Sequence, residues 1–193
     1  ALIFSQANTA FLQKDSVLAH QFIDSIKDTV LAGGSNYETG LLALICGRLS
    51  LLDKHFDKSV EELSHAEKYF ADGSRSVEAN IARIWLTASL YQNKKTDKAI
   101  ENVNALTTTR GKLSHSFFVA AYQAHVWLSG LQNKSTNNRM VRELILGAEK
   151  LAKELPSIRR QVKRHASVVQ SSASKLKIQA FGNAIVHVDG KPS

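Results

Sequence analysis

Residues 99–106 read AIENVNAL, and this stretch decides the fold because two earlier versions of it occur at the same spacing. Residues 59–66 read SVEELSHA, and residues 19–26 read AHQFIDSI. In each version a small residue is followed four positions later by an apolar one, and three positions beyond that by a small or apolar one. Residues at these intervals lie on one face of an α-helix. The chain is therefore predicted to repeat one helical element at a period of forty residues.

A second apolar segment precedes each of these helices, with Ala7, Gly47 or Thr87 placed twelve residues before the small residue. Two such segments joined by a short connection predict a hairpin of helices. Small residues let two helices cross closely without opening a void, so Ala19, Ser59 and Ala99 are predicted to be packing residues. The predicted pairs are 1–13 with 15–31, 36–53 with 56–71, 76–92 with 95–107 and, in a shifted register, 114–131 with 138–154.

Two kinds of signal predict where these helices end. Gly33-Gly34 and Asp72-Gly73 are expected to end helices because glycine accepts positive φ, and Ser35 is expected to cap the next helix. Pro156 disfavours helix at Leu155 and suits the first turn of a new helix. A ninth helix is therefore predicted over residues 157–173.

Composition fits an all-α protein. The 193 residues are 44% hydrophobic and include only two prolines. The longest apolar run is 41–46, and it falls well short of the ~20 residues that a membrane-spanning helix needs. The lone cysteine, Cys46, lies in that run and is expected to be a buried structural thiol, which fits a reducing compartment. The sequence therefore predicts a cytoplasmic protein without a membrane segment.

The formal charge of +8 is confined to one end of the chain. Residues 1–133 contain thirteen Lys and Arg against thirteen Asp and Glu, whereas residues 134–193 contain twelve against four. An acidic partner such as nucleic acid is conceivable at that end.

The repeat resembles the tetratricopeptide repeat family over residues 1–155, at the small and apolar positions of repeats one to three and at Ala7 and Gly47. It departs from the family in its period of forty and in lacking most of the family's aromatic residues. Longer repeats of this kind are similar to those in the sensor region of bacterial transcriptional regulators related to the maltose-regulon activator. The resemblance implies a right-handed superhelix of about four antiparallel hairpins. A generic helical solenoid is the alternative.

After Ser172 the apolar pattern changes to period two. Residues 176–181 and 184–188 alternate and are separated by Gly182-Asn183, which predicts a β-hairpin. The string from Leu176 to Lys191 resembles the opening of an OmpR-type winged-helix domain of bacterial transcriptional activators. That resemblance implies that the helix that reads DNA lies beyond residue 193, so that this chain lacks sequence-specific DNA binding. The alternative is a C-terminal hairpin that folds back on the helices.

Two sets of polar residues are candidates for binding. The first set is predicted on the helices that line the groove of a stacked array, where it would contact a ligand or partner: Arg48, Asn80, Arg83 and Gln123. The second lies at helical spacing and would form a basic contact face, the alternative being a solvated helix surface: Arg159, Arg160, Lys163 and Arg164. Aromatic residues of repeats three and four are either ligand-facing or core: Trp85, Tyr91, Phe117, Phe118, Tyr122 and Trp127.

Catalytic and metal-binding patterns are weak throughout. The seven histidines do not cluster, which argues against a metal site, and the sequence contains no phosphate-binding loop or nucleophile elbow. Ser172-Ala173-Ser174-Lys175 fits a Ser-x-x-Lys string but lacks partner motifs. The chain is therefore predicted not to be an enzyme and to need no cofactor or metal.

These observations predict three regions: a helical repeat domain over residues 1–155, a basic helix or linker over 156–173, and a hairpin over 174–193 that opens a winged-helix domain. The expected function is that of a segment of a transcriptional regulator. It would bind a protein, peptide or small effector and relay this to the adjacent DNA-binding domain. The alternative is an adaptor that assembles a complex and has no role in transcription.

Overall fold

The structure is a computed structural model that describes residues 2–108, 112–135, 138–170, 176–179, 185–188 and 191–192. Side chains are described up to residue 164. The chain divides into two compact units, Ala1–Leu151 and Ala152–Ser193. The division falls within a helix. Ser172-Ala173-Ser174-Lys175 lies outside the described residues.

Helices account for nearly all of the first unit, which confirms the all-α class. They are α1 (Leu2–Leu12), α2 (Ser16–Gly33), α3 (Asn36–Leu52), α4 (Phe56–Asp72), α5 (Ser76–Gln92), α6 (Thr96–Asn104), α7 (His115–Gln123), α8 (His125–Leu128), α9 (Leu131–Lys134) and α10 (Arg139–Gln170).

Consecutive helices of the first three repeats pack in pairs, α1 on α2, α3 on α4 and α5 on α6. The small residues lie at the contacts between them: Ala19, Ser59 and Ala99 are completely buried. At Gly47 a Cβ atom would stand 2.5 Å from Leu63 Cγ, which is closer than side-chain carbons approach. The prediction that the repeated small positions are packing residues is thus confirmed.

The turn inside each of these pairs has the same backbone geometry. Lys14, Lys54 and Lys94 follow the first helix of their repeats and have φ of 62°, 64° and 62°. Around Lys54 the amide of the lysine donates to Leu51 O, and the next amide donates to Ser50 O. These are the two bonds of a Schellman motif. The period of forty residues is therefore a feature of the backbone as well as of the core.

Ser35 caps as predicted, and α2 and α4 end at the predicted glycines, but these glycines do not adopt the left-handed conformation that was expected of them. Ser35 caps α3 through a capping box with Glu38. Gly34 and Gly73 have φ of −70° and −83°, so neither uses the left-handed freedom for which it was singled out. That conformation falls instead on Ser74, with φ of 57°. Here the bonds that close the turn fix the backbone, and they require no glycine.

The fourth repeat departs from its prediction. A single helix was expected over 114–131, but the structure has three short ones, α7, α8 and α9. Helical geometry is interrupted at Ala124, with ψ of 2°, and at Gly130, with φ of 89°. A Cβ atom at Gly130 would meet the Tyr91 hydroxyl at 2.8 Å, so this glycine permits both the left-handed turn and close contact with α5.

The predicted helix end near Leu155 is wrong. One helix, α10, runs from Arg139 to Gln170 with Pro156 inside it, and the separate ninth helix over 157–173 does not exist as such. A proline in a helix lacks one hydrogen bond and crowds the carbonyl four residues earlier, but its fixed φ is helical. Pro156 therefore only disfavours helical geometry at Leu155, and the helix on both sides of it overrides this preference. Residues 171–173 lie outside the described residues.

In the second unit, α10 is followed by three short strands, β1 (Leu176–Gln179), β2 (Ile185–Val188) and β3 (Lys191–Pro192). They pair antiparallel in the order β1-β2-β3. Leu176 lies opposite Val188, and Gln179 opposite Ile185. The residues that would join these strands lie outside the described part of the chain, and the hairpin stays a prediction.

Candidate functional site

The most unusual side chain of the first unit is that of Arg48, on α3. This helix is buried on several faces, because α1, α2, α4 and α5 all pack against it. Arg48 is only 5% exposed, although arginine is almost never fully buried unless it is paired.

Aromatic rings from two other helices lie against the guanidinium, and a ring from a third helix packs against both of them. Its central carbon lies 4.2 Å from the ring centre of Phe11 on α1 and 4.5 Å from that of Trp85 on α5. Trp127 on α8 stacks on Phe11, with 6.3 Å between the ring centres, and packs against Trp85, with 5.8 Å between the ring centres. Cation–π attraction of this kind is worth about 2 kcal/mol where water is excluded. We call Phe11, Arg48, Trp85 and Trp127 the arginine–aromatic cluster.

Hydrogen bonding at the cluster is incomplete. Nη1 of Arg48 donates to Asn8 Oδ1 at 2.8 Å. Nε and Nη2 of Arg48 and Nε1 of Trp85 are buried and have no acceptor among the described residues. Most buried donors in proteins are satisfied, so each exception calls for an explanation.

The charge of Arg48 is likewise unbalanced. Burial alone lowers the pKa of its guanidinium from its ordinary value to about 9, and no neighbouring charge contributes to the shift. The side chain is thus cationic at neutral pH in an apolar surrounding. A buried cation without a counter-ion is costly, and cation–π contacts offset only part of that cost.

The repeat itself does not require an arginine at this position. Steps of forty residues relate Asn8, Arg48 and Ala88, which occupy the same place in the first helices of the first three repeats. The equivalent residue Ala88 is buried in the core without any charge. Packing of the hairpins therefore tolerates neutral residues where repeat two has Arg48.

The other residues predicted for the groove lie elsewhere. Arg83 is paired with Glu67 and donates to the carbonyl of Ala105. The side chain of Asn80 donates to Ser76 O and accepts from the amide of Thr107. These two residues hold the end of α6 against α5.

Gln123 is half-buried at the end of α7. In the part of the chain that the structure describes, no hydrogen bond joins Arg48 to Asn80, Arg83 or Gln123. The four candidates are thus not one constellation.

The basic contact face belongs to the second unit. Arg159, Arg160, Lys163 and Arg164 lie on α10, and all four are exposed. Their spacing places 159 beside 163 and 160 beside 164.

The first unit also has an open surface cleft of about 570 Å³ between α7 and α10. Its floor is apolar where Gly147 packs directly on the ring of Phe118. Three cations and one carboxylate surround this floor: Arg139, Arg142, Lys150 and Glu143.

Two further findings concern reactive groups. Burial raises the pKa of the Cys46 thiol to about 11, so the sulfur is protonated at neutral pH, and the residue is half-buried where full burial was expected. Among the described residues, no group of three or more His, Cys, Asp or Glu is placed to hold a metal ion.

Sequence reasoning singled out Arg48 and named Trp85 and Trp127 as either ligand-facing or core, but it missed Asn8 and Phe11. A signal for Asn8 existed, because it precedes Arg48 by one repeat period. No comparable signal existed for Phe11, whose stacking on Trp127 joins residues far apart in the chain.

Comparisons with known proteins identify no relative: no protein-family model, no curated protein and no solved structure matches the chain. In the described part of the chain, no helix has both the length and the apolar character that crossing a bilayer requires.

Proposed function

We propose that this chain is the binding segment of a transcriptional regulator. It is a non-enzymatic array of helical hairpins, wound as a right-handed superhelix in the cytoplasm. It takes up a protein, peptide or small effector and relays this event to an adjacent DNA-binding domain. No cofactor or metal takes part.

The observation that carries the binding role is the state of Arg48. Its charge is buried without a counter-ion, two of its donors have no acceptor, and the equivalent positions of the repeat are neutral. Perturbed ionisable groups with unmet bonding capacity concentrate at functional sites. A bound ligand that supplies the missing acceptors accounts for all three features.

The link to transcription rests on the C-terminal stretch. Its resemblance to the start of a winged-helix domain is supported by the antiparallel pairing of Leu176–Gln179 with Ile185–Val188. In this proposal the DNA-reading helix lies beyond residue 193, and the basic face of α10 contacts an acidic surface or nucleic acid.

The test compares cells that produce the full-length protein, its Arg48→Met variant, or none. We expect loss of the protein to change transcripts from a limited set of promoters, and the Arg48→Met variant to fail to restore them. Lys68→Met is the matched control, because it removes an exposed cation from α4 and is expected to restore them fully.

Unchanged transcripts would overturn the regulatory role. If a protein complex lost subunits at the same time, the chain would be an adaptor of the tetratricopeptide type. We also expect the full-length gene to encode a helix-turn-helix after residue 193. Its absence would likewise overturn the regulatory role.

A further inference from the structure

The donors left over at Arg48 have a specific geometry. Nη1 is engaged by Asn8, so the two nitrogens without an acceptor are Nε and Nη2. These two lie along one edge of the planar guanidinium and direct parallel N–H bonds to the same side. That edge fits the two oxygens of a carboxylate, which arginine binds in a bidentate manner.

A third donor belongs to the same place. Nε1 of Trp85 also has no acceptor among the described residues, and the Trp85 ring lies 4.5 Å from the guanidinium carbon. The cluster thus contains three donor nitrogens and one positive charge, and no oxygen of the described residues accepts from these nitrogens. An anionic group with two or more acceptor oxygens satisfies this excess, whereas a neutral one leaves the charge unbalanced.

The surroundings of the donors indicate what the anionic group is attached to. Phe11 and Trp127 stack with an interplanar angle of 21°, so the cluster already holds one flat ring against another. Trp127 is the partly exposed member of the cluster and lies on α8, a helix of four residues. Its neighbours Ala124 and Gly130 have the non-helical geometry described above, so α8 is a short segment between two breaks.

We propose that the arginine–aromatic cluster is a receptor for a small aromatic carboxylate. The ligand's carboxylate accepts from Nε and Nη2 of Arg48, and its ring takes the place of the Trp127 side chain against Phe11. This inference rests on the proposed binding role and names the class of ligand. It does not depend on a link to transcription.

Intrinsic fluorescence provides the test, because the only two tryptophans of the chain, Trp85 and Trp127, both belong to the cluster. The probes are benzoate, its neutral counterpart benzamide, and inorganic phosphate, each titrated into the 193-residue chain. We expect a saturable change with benzoate, and affinities lower on the order of tenfold or more for benzamide and phosphate. Equal responses to benzoate and benzamide would overturn a carboxylate site. Tighter binding of phosphate would overturn the aromatic part of the assignment.

Variants separate a binding role of Arg48 from a structural one. Arg48→Lys keeps the charge but loses the paired donors, and we expect its affinity for benzoate to fall on the order of tenfold or more. Lys68→Met changes an exposed cation and is expected to bind benzoate as the parent does. Undiminished binding by Arg48→Lys at an unaltered melting temperature would contradict the proposal.

The Trp127→Ala variant tests how the ligand enters. Because the ligand displaces this side chain, removing it is expected to tighten benzoate binding, as followed by the remaining fluorescence of Trp85. Weaker or unchanged binding by Trp127→Ala would overturn the exchange with Trp127. If none of the probes binds while promoter responses in cells still depend on the protein, the ligand class is wrong and the regulatory proposal stands.

Discussion

An unpaired arginine in a core lowers the stability of the fold that contains it. Replacement of a buried ion pair by well-packed apolar side chains of similar volume is often neutral or stabilising, by roughly 1–4 kcal/mol, and a buried cation without a counter-ion has no ion-pair attraction to lose. At Arg48 the balance favours replacement, because burial penalises the cation and no carboxylate compensates. The half-buried Asn8 can turn to water when its partner is removed.

We therefore predict that Arg48→Met raises the melting temperature of the chain, as measured by circular dichroism. The contrasting variant is Arg83→Met, which leaves Glu67 without its partner and removes a bond to Ala105. That change is expected to lower stability by about 1–3 kcal/mol. A loss of stability in both variants would mean that Arg48 is as structural as Arg83.

The same arginine gives a pH dependence of known sign. Its folded-state pKa of about 9 is well below the ordinary pKa of an arginine, so between these two values the unfolded chain holds the extra proton. The free energy of unfolding therefore rises with pH between these two pKa values, and the full destabilisation by the buried cation is present below pH 9. The advantage of Arg48→Met over the parent should shrink above pH 9 in paired urea titrations. A gap that is constant from pH 7 to 10.5 would contradict the prediction.

How far the sequence predicts this site depends on the kind of contact. Arg48 stands out because a charge interrupts an apolar run, and Trp85 stands out by residue type. The contact between Phe11 and Trp127 has no local pattern, because it depends on how four repeats are packed in space. The sequence also does not show that Arg83 has a carboxylate partner and Arg48 has none. This difference depends on whether Glu67 lies within reach in the folded chain.

At the scale of elements, the first three hairpins were predictable because packing and periodicity agree there. Prediction failed where a single residue type was taken as decisive. Pro156 lies within α10, and the left-handed residue after α4 is Ser74, where the neighbouring Gly73 was expected to supply that conformation. The fourth repeat failed for a different reason: Gly130 serves a contact with Tyr91 that no local spacing encodes.

Glycine substitutions in α2 and α3 test the packing of the hairpins. Gly47→Ala places a methyl group against Leu63 and is expected to destabilise the chain by about 1–3 kcal/mol through overpacking. Gly33→Ala is the control, because nothing lies within 4 Å of its Cβ position. Better helix propensity should then stabilise the chain by about 0.5–1 kcal/mol. Urea unfolding of both variants measures the contrast, and similar effects of the two would contradict the register of α3 on α4.

The left-handed lysines give a second prediction at this scale. A residue with a Cβ atom is strained at positive φ, so Lys54→Gly is expected to stabilise the chain by about 0.5–1 kcal/mol. Lys68→Gly, at a position inside α4 that is also exposed, should destabilise it by about 1 kcal/mol. Thermal unfolding distinguishes the two signs. If Lys54→Gly destabilised the chain, the contacts of the Lys54 side chain would contribute more stability than its backbone strain costs.

At the scale of the molecule, the buried apolar residues lie at or before Leu151 in the part of the chain with described side chains. The first unit thus contains its own core. A chain shortened to residues 1–164 is expected to melt within about 2 °C of the parent, a shift that corresponds to about 0.5–1 kcal/mol in a chain of this size. Calorimetry measures the shift. A much larger drop would show that the first unit depends on the residues removed.

One buried hydroxyl pair also affects how such an array assembles. Ser59 donates to Gly47 O at 2.7 Å and lies 2.6 Å from the Ser89 hydroxyl, which ties α3, α4 and α5 together. In the first and third repeats the residue equivalent to Ser59 is alanine, at positions 19 and 99. Similar hairpins can exchange neighbours during folding or between chains. A mispaired α4 would bury its hydroxyl without this partner, so the serines mark the correct neighbour of α4 and disfavour pairing with the wrong hairpin.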